Sequence, residues 1–259
     1  MTCISFVTED REPLTNTHYN VLDRETSAII GGPPNSPPAL LSSTSSLQPH
    51  PFEERSSMVL TTADYQALDK LARVQLATSL PGPKPICLVS TRGLDGRSNL
   101  APFSSITHLG SSPLLIGMVT RPATVDRHTL QNILDTKSWT LNQVTESTYE
   151  KAHQCAARYP GDVSEFEATG LSELSHDGVT APFIKECPIR YALELEDVID
   201  IPVNKTKLIV GRVVLIDLPD GALSPDGTLD LPAQGSIAST ALDTYYSISS
   251  LGRLPYAKP

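Results

Sequence analysis

The chain has 259 residues, with 29 acidic against 20 basic side chains, a formal net charge of −9 and 39% hydrophobic residues. That balance excludes a protein built on clustered Lys and Arg against nucleic-acid phosphates, and it offers no polybasic membrane patch. No stretch of ~20 apolar residues is present, so no helical membrane span is expected.

The N-terminal sequence, MTCISFVTEDREPL, lacks a basic segment followed by a long apolar one, so no secretory signal is expected. The four cysteines, Cys3, Cys87, Cys155 and Cys187, form no CxxC pair and no zinc-ribbon spacing. Reduced thiols in a cytoplasmic protein are the expectation. From Gly31 to Pro51 the chain reads GGPPNSPPALLSSTSSLQPHP. Proline removes backbone donors and serine competes for local hydrogen bonds, so residues 1–57 are expected to be a disordered or loosely attached arm. The folded domain is expected over 58–259.

Thr61 and Asp64 read as a helix cap, followed by Tyr65, Leu68, Leu71, Ala72 and Leu76 at helical spacing, a stripe expected to pack into the core. Pro85 to Thr91 is a short apolar, partly β-branched run, and Gly93-Leu94-Asp95-Gly96 is a turn. Ala101 to His108 is expected as the returning strand of a hairpin, and Leu114 to Thr120 as the next strand. A helix is expected from Asp126 to Leu134, a strand from Ser138 to Val144, and a helix from Thr145 to Arg158 with Tyr149, Ala152 and Ala156 on one face. Pro188 to Val198 and Lys207 to Leu218 are two long strands. The second, KLIVGRVVLIDL, is apolar enough to be buried on both sides. Six or more strands with few helices predict a mainly β protein, a closed barrel rather than a βαβ sheet.

Glycine-rich phosphate loops, a nucleophile elbow and a zinc-protease motif are all missing, and the six histidines show no metal-ligand spacing. No metal is expected and no catalytic side chain is assigned. Two polar stretches stand out instead: Ser90 to Ser105, STRGLDGRSNLAPFSS, and Arg127 to Ile133, RHTLQNI. Asn99, Ser104 and Ser105 are hydrogen-bonding residues, and Ala101 and Pro102 are small or rigid. Arg127 and Thr129, at an expected helix start, suit an anion.

With Pro83-Lys84-Pro85-Ile86 ahead of them, these stretches resemble the flavin-reductase-like, or flavoprotein oxygenase, family of FMN-binding split β-barrels. Phe166-Glu167-Ala168-Thr169-Gly170-Leu171, Cys187-Pro188-Ile189, Ile209-Val210-Gly211-Arg212-Val213 and Tyr245-Tyr246 follow that family's pattern in order. The resemblance implies an FMN-binding split β-barrel with a few flanking helices, commonly a homodimer with FMN near the interface. It implies an oxidoreductase, a flavin reductase or oxygenase, taking electrons from NAD(P)H and passing them to oxygen, flavin or a small organic acceptor. By the resemblance FMN is held by Ser90, Thr91, Arg92, Asn99, Leu100, Ala101, Pro102, Phe103, Ser104, Ser105, Arg127, Thr129 and Asn132, with His128 and Tyr246 toward the substrate. Two alternatives stay open: a non-catalytic FMN electron carrier, and a biosynthetic enzyme with repurposed barrel chemistry. The chain departs from the pattern at His128, where the family has an acid. It departs again around Tyr245-Tyr246, where the glycine-rich approach and the following Arg are replaced.

Overall fold

The computed structural model describes residues 57–122, 128–160, 163–241 and 243–258. The chain divides into two units, Met1–Ser57 and Met58–Pro259, and the fold below is that of the second. The expected arm lies outside the described residues except for Ser57, as do Asp126 and Arg127.

Helix α1 (Thr62–Ala67) starts at a reciprocal cap: the Thr61 hydroxyl accepts from the Asp64 N–H, and the Asp64 carboxylate accepts from the Thr61 N–H. It ends after six residues because Leu68 is extended. Asp69 then caps α2 (Lys70–Ser79) by accepting from the Ala72 N–H. The expected core stripe is thereby split. No residue of either helix is fully buried, and Leu71 and Val74 are exposed.

After β1 (Lys84–Pro85), β2 (Cys87–Arg92) and β3 (Ser98–Phe103) form the hairpin. The Gly93 N–H donates to the Arg97 carbonyl at 2.9 Å to close its turn, and Gly96 takes φ +82°, a conformation that glycine adopts without steric cost. The single return strand expected over 101–108 is in fact two strands. β4 (Ile106–Ser111) begins after Ser104-Ser105 and pairs with β5 (Leu114–Thr120) instead of with β2. Ser105 Oγ donates to the Val119 carbonyl at 2.8 Å and turns the chain onto β5.

The remaining elements are α3 (His128–Thr136), β6 (Ser138–Gln143), α4 (Tyr149–Gln154), α5 (Glu165–Thr169), β7 (Glu173–Leu174), β8 (Phe183–Ile184), β9 (Arg190–Ile201), β10 (Thr206–Asp217), β11 (Ile237–Thr240) and β12 (Thr244–Ser247). α4 is shorter than the sequence suggests. Ala152 is buried there, while Tyr149 and Ala156 are exposed.

Seven strands form one sheet in the order β3-β2-β6-β9-β10-β5-β4. Laid flat, its two edge strands would stand ~29 Å apart, six spacings of ~4.8 Å. Yet β3 and β4 are joined through Ser104 and Ser105 alone, a reach of ~11 Å. The sheet therefore curls into a barrel, left split along a seam between β3 and β4. Pro102 helps keep the seam open, since it has no N–H to offer. Leu100, two residues before it on the same edge, gives its N–H to the Glu165 carboxylate at 3.1 Å instead of to a strand. The molecule is a mainly β split barrel with a few short helices.

One half of the core gathers Val89, Met118, Ile133, Trp139, Leu141, Leu193 and Ile209 inside the barrel. Gly211 makes room for Trp139, since a Cβ there would stand 2.4 Å from the indole. β10 is not buried on both sides as expected. Ile209 to Gly211 are buried, but Val214 and Ile216, at and beyond a register shift against β9, are exposed.

Candidate functional site

The hairpin and α3 meet through two side-chain hydrogen bonds. Asn99 Nδ2 donates to Thr129 Oγ1 at 2.9 Å, and Asn132 Nδ2 donates to Thr91 Oγ1 at 3.0 Å. Both link a residue of the hairpin to the first turns of α3, two stretches some thirty to forty residues apart. Thr129 is 7% exposed. Its oxygen accepts from Asn99, so its hydroxyl hydrogen is left to donate elsewhere, and no acceptor for it is found among the described residues.

The expected site residues separate into three groups. Ser90, Thr91 and Leu100 are buried in the wall; Thr91 Oγ1 accepts from Asn132, while Ser90 Oγ has no hydrogen-bond partner among the described residues. Ala101, Pro102, Phe103, Ser104 and Ser105 are half-buried along the seam, beside the outer edge of β3, the edge away from β2. Arg92, Asn99, His128 and Asn132 line a cavity of about 550 Å³ at the turn end of the hairpin. Tyr246 is on β12, its hydroxyl 3.2 Å from Thr240 Oγ1, and is not among the cavity's lining residues. Arg127 lies outside the described residues.

Arg92 already holds protein partners. Its guanidinium donates to the Gly96 carbonyl at 2.9 Å, the Thr180 carbonyl at 3.2 Å and the Glu173 carboxylate at 2.8 Å. It thus clamps the hairpin turn to the β7–β8 segment. On the same turn Arg97 donates to Asp95, and these bonds from its backbone and side chain hold the Asp95 carboxyl below the usual carboxylate range.

The sequence reading missed the far wall. Tyr159, Val163, Glu165, Phe166, Glu167, Leu171 and Glu173 face the hairpin turn across the cavity. Their segment carried a signal, the acidic-aromatic stretch at 165–167, but nothing local said which part of the barrel it would meet. Ser164 caps α5 by accepting from the Phe166 N–H at 3.2 Å, and Gly170, at φ +65°, ends it. The three buried thiols, Cys87, Cys155 and Cys187, take no part in the cavity lining. No cluster of three or more metal-ligating side chains occurs among the described residues.

Comparison with known proteins agrees with this architecture. The family model for the flavin reductase like domain matches residues 82–232. A split-barrel protein of Shewanella frigidimarina, assigned as a flavin reductase, superposes with a TM-score of 0.75 at 40% identity, covering 78% of this chain and 100% of that one. Nitrilotriacetate monooxygenase component B of Bacillus cereus superposes with a TM-score of 0.69 over 77% of this chain and 100% of that one; at 21% identity the likeness is one of fold. An uncharacterized protein of Aquifex aeolicus is 34% identical over 151 residues, 58% of this chain and 76% of that one.

Proposed function

This chain belongs to the flavin reductase like family, and we propose that it is an FMN-dependent oxidoreductase using a nicotinamide, NADH or NADPH, as electron donor. The observation that carries the proposal is the double hydrogen-bonded junction between hairpin and α3, Asn99 to Thr129 and Asn132 to Thr91. It brings a hydroxyl donor and helix N–H groups, which suit a phosphate, to one end of an open strand edge, which suits a flat ring.

The residues present fit FMN. The seam exposes the carbonyls of β3 around Pro102, with Ser104 and Ser105 at its end, as partners for the polar edge of a flavin. Thr129 directs its hydroxyl to the phosphate end, and Arg127 is proposed to supply the charge. When bound, FMN supplies the redox chemistry, accepting a hydride equivalent and passing electrons on. The chain's own part is to hold the ring along the seam, to fix the phosphate and to leave one ring face open to a second molecule. No side chain is required as an acid or base in that role.

Pairing with a second copy is proposed as well. The barrel's outer surface carries exposed Leu109, Val119, Val214 and Ile216, and an apolar face of this kind favours isologous association. No helix among the described residues is long and apolar enough to cross a membrane, and a cytoplasmic place is proposed with the nicotinamide donor.

The test is a visible spectrum of the purified protein, before and after added FMN, followed by anaerobic titration with NADH and NADPH. Flavin bands that bleach on nicotinamide addition are the expected result. A protein that never acquires the bands sinks the proposal. One that binds FMN but is reduced by neither nicotinamide is a carrier and not a reductase.

A further inference from the structure

Two apolar surfaces of this unit are left uncovered by the chain that carries them. The first is on α2. Leu71, Val74, Ala77 and Leu80 recur every third residue and are exposed, a row inclined across the helix, while Ala72, Gln75 and Leu76 are half-buried. A helix that is apolar on more than one side is normally covered on more than one side. The second surface is the segment after β12, residues 248–258. There Leu254 is 89% exposed and Tyr256 91%, and Leu251 is equally open. Among the described residues, the hydrogen bonds of this segment are Gly252 N–H to Ser250 Oγ at 3.3 Å and Arg253 to the Asp226 carboxylate.

The two surfaces are rooted close together. α2 leads into β1, β1 pairs with β11, and β11 pairs with β12, from which the segment leaves. Gln75 Nε2 also donates at 2.8 Å to Asp243, which lies between β11 and β12. Surfaces on neighbouring elements can be exchanged reciprocally by two copies related by a twofold axis, over a short reach. The lengths agree. An extended chain from Leu251 to Tyr256 spans ~17 Å, and α-helix from Leu71 to Leu80 rises ~14 Å. Pro255 has a fixed φ and disfavours a helical Leu254, so the segment has little freedom to lose on docking. Charge favours the same occupant. The segment carries Arg253 and Lys258 and no acid, while Asp64, Asp69 and Asp243 outnumber Lys70 and Arg73 at and around α2.

We propose that residues 248–258 of one copy lie across the α2 row of a second copy, whose own segment is received in return, with Leu254 and Tyr256 as the anchors. This gives the pairing proposed above a contact of its own, and it depends neither on the barrel face nor on FMN.

Cross-linking of the full chain tests it. Val74→Cys and Leu254→Cys are made separately in a Cys3→Ser background, where the remaining thiols, Cys87, Cys155 and Cys187, are buried. Equilibrated together and oxidised, the two variants should give at least about tenfold more disulfide-linked pair than either gives alone. Carried on one chain, the two substitutions should link between chains and not within one. Val74→Asp and Leu254→Asp should each raise the dissociation constant for self-association, read by sedimentation, by about tenfold or more, with the circular dichroism of the fold unchanged. No linked pair, or linkage confined within one chain, overturns the proposal. A Val74→Cys thiol that is shielded from a thiol reagent yet never links to Leu254→Cys places another segment on α2 and overturns it as well. Self-association that survives both Asp substitutions, with no linked pair, leaves pairing through the barrel face standing and removes the exchange alone.

Discussion

Thr129→Val tests the junction most directly. Valine keeps the β-branched shape and removes one hydroxyl. That hydroxyl accepts from Asn99 at 2.9 Å and, by our reading, donates to the flavin phosphate. A hydrogen bond to a charged group is worth ~1.5–3 kcal/mol, so the FMN dissociation constant should rise about ten- to a hundredfold. Asn99→Ala leaves the hydroxyl in place but releases its orientation, and should cost ~0.5–1.5 kcal/mol. Because Asn99 acts through Thr129, the double variant should bind FMN no worse than Thr129→Val alone, a departure from additivity expected of residues in contact. Fluorescence quenching of free FMN measures all three constants, and thermal unfolding of the apo variants separates lost binding from lost fold. Additive losses in the double variant would show that Asn99 acts independently. An unchanged constant for Thr129→Val would refute the phosphate assignment.

Other outcomes follow from the same structure. Gly211→Ala drives a methyl to within 2.4 Å of the buried Trp139 ring, and should cost ~1–3 kcal/mol of stability, read as a fall of roughly 2–4 °C in Tm per kcal/mol. Burial pushes the thiols of Cys87 and Cys187 up to about 12 from an ordinary 9.0. They should therefore resist a thiol reagent at pH 8 until the chain is unfolded. The sign for stability is set by the same shift: the unfolded chain releases these protons from 9.0 upward while the fold retains them to about 12, so stability should fall with rising pH across that window. Denaturant titrations at pH 8 and pH 10 give the comparison. Arg92→Ala removes three links between the hairpin turn and the β7–β8 segment; protease cleavage between 172 and 182 should become faster, with the barrel strands still protected.

Much of this architecture was readable from local pattern. The Gly93–Gly96 turn, β5, β6, β9 and β10 are bounded by turn chemistry and carried by β-branched runs, so each announces itself within its own few residues. The cap at Thr61 and Asp64 did the same. What escaped was set at long range. Ala101 to His108 reads as one continuous strand, and nothing in it tells that Phe103 ends one edge of a seven-stranded sheet while Ile106 begins the other. The α1–α2 stripe has the spacing of a core face, but no described element packs over it closely enough to bury it. In the site, Asn99, Asn132 and Thr129 were legible as polar residues in a recurring pattern. Their pairing, and the use of Thr91 as an acceptor within the wall, depended on how α3 meets the hairpin. That Arg92 donates to Glu173 and two carbonyls was not legible, because its partner segment arrives some eighty residues later.

An unpaired strand edge is ordinarily a hazard, since its free donors can template another chain and start an aggregate. The seam of this barrel, where by our reading a flat ligand lies, is such an edge, yet β3 presents little for a foreign strand to grip. Pro102 has no N–H, and the Leu100 N–H is taken by Glu165. What remains toward the gap is largely carbonyl oxygen. Such an edge makes a poor match for another polypeptide, so the loss of two hydrogens leaves the groove open, as the FMN reading requires.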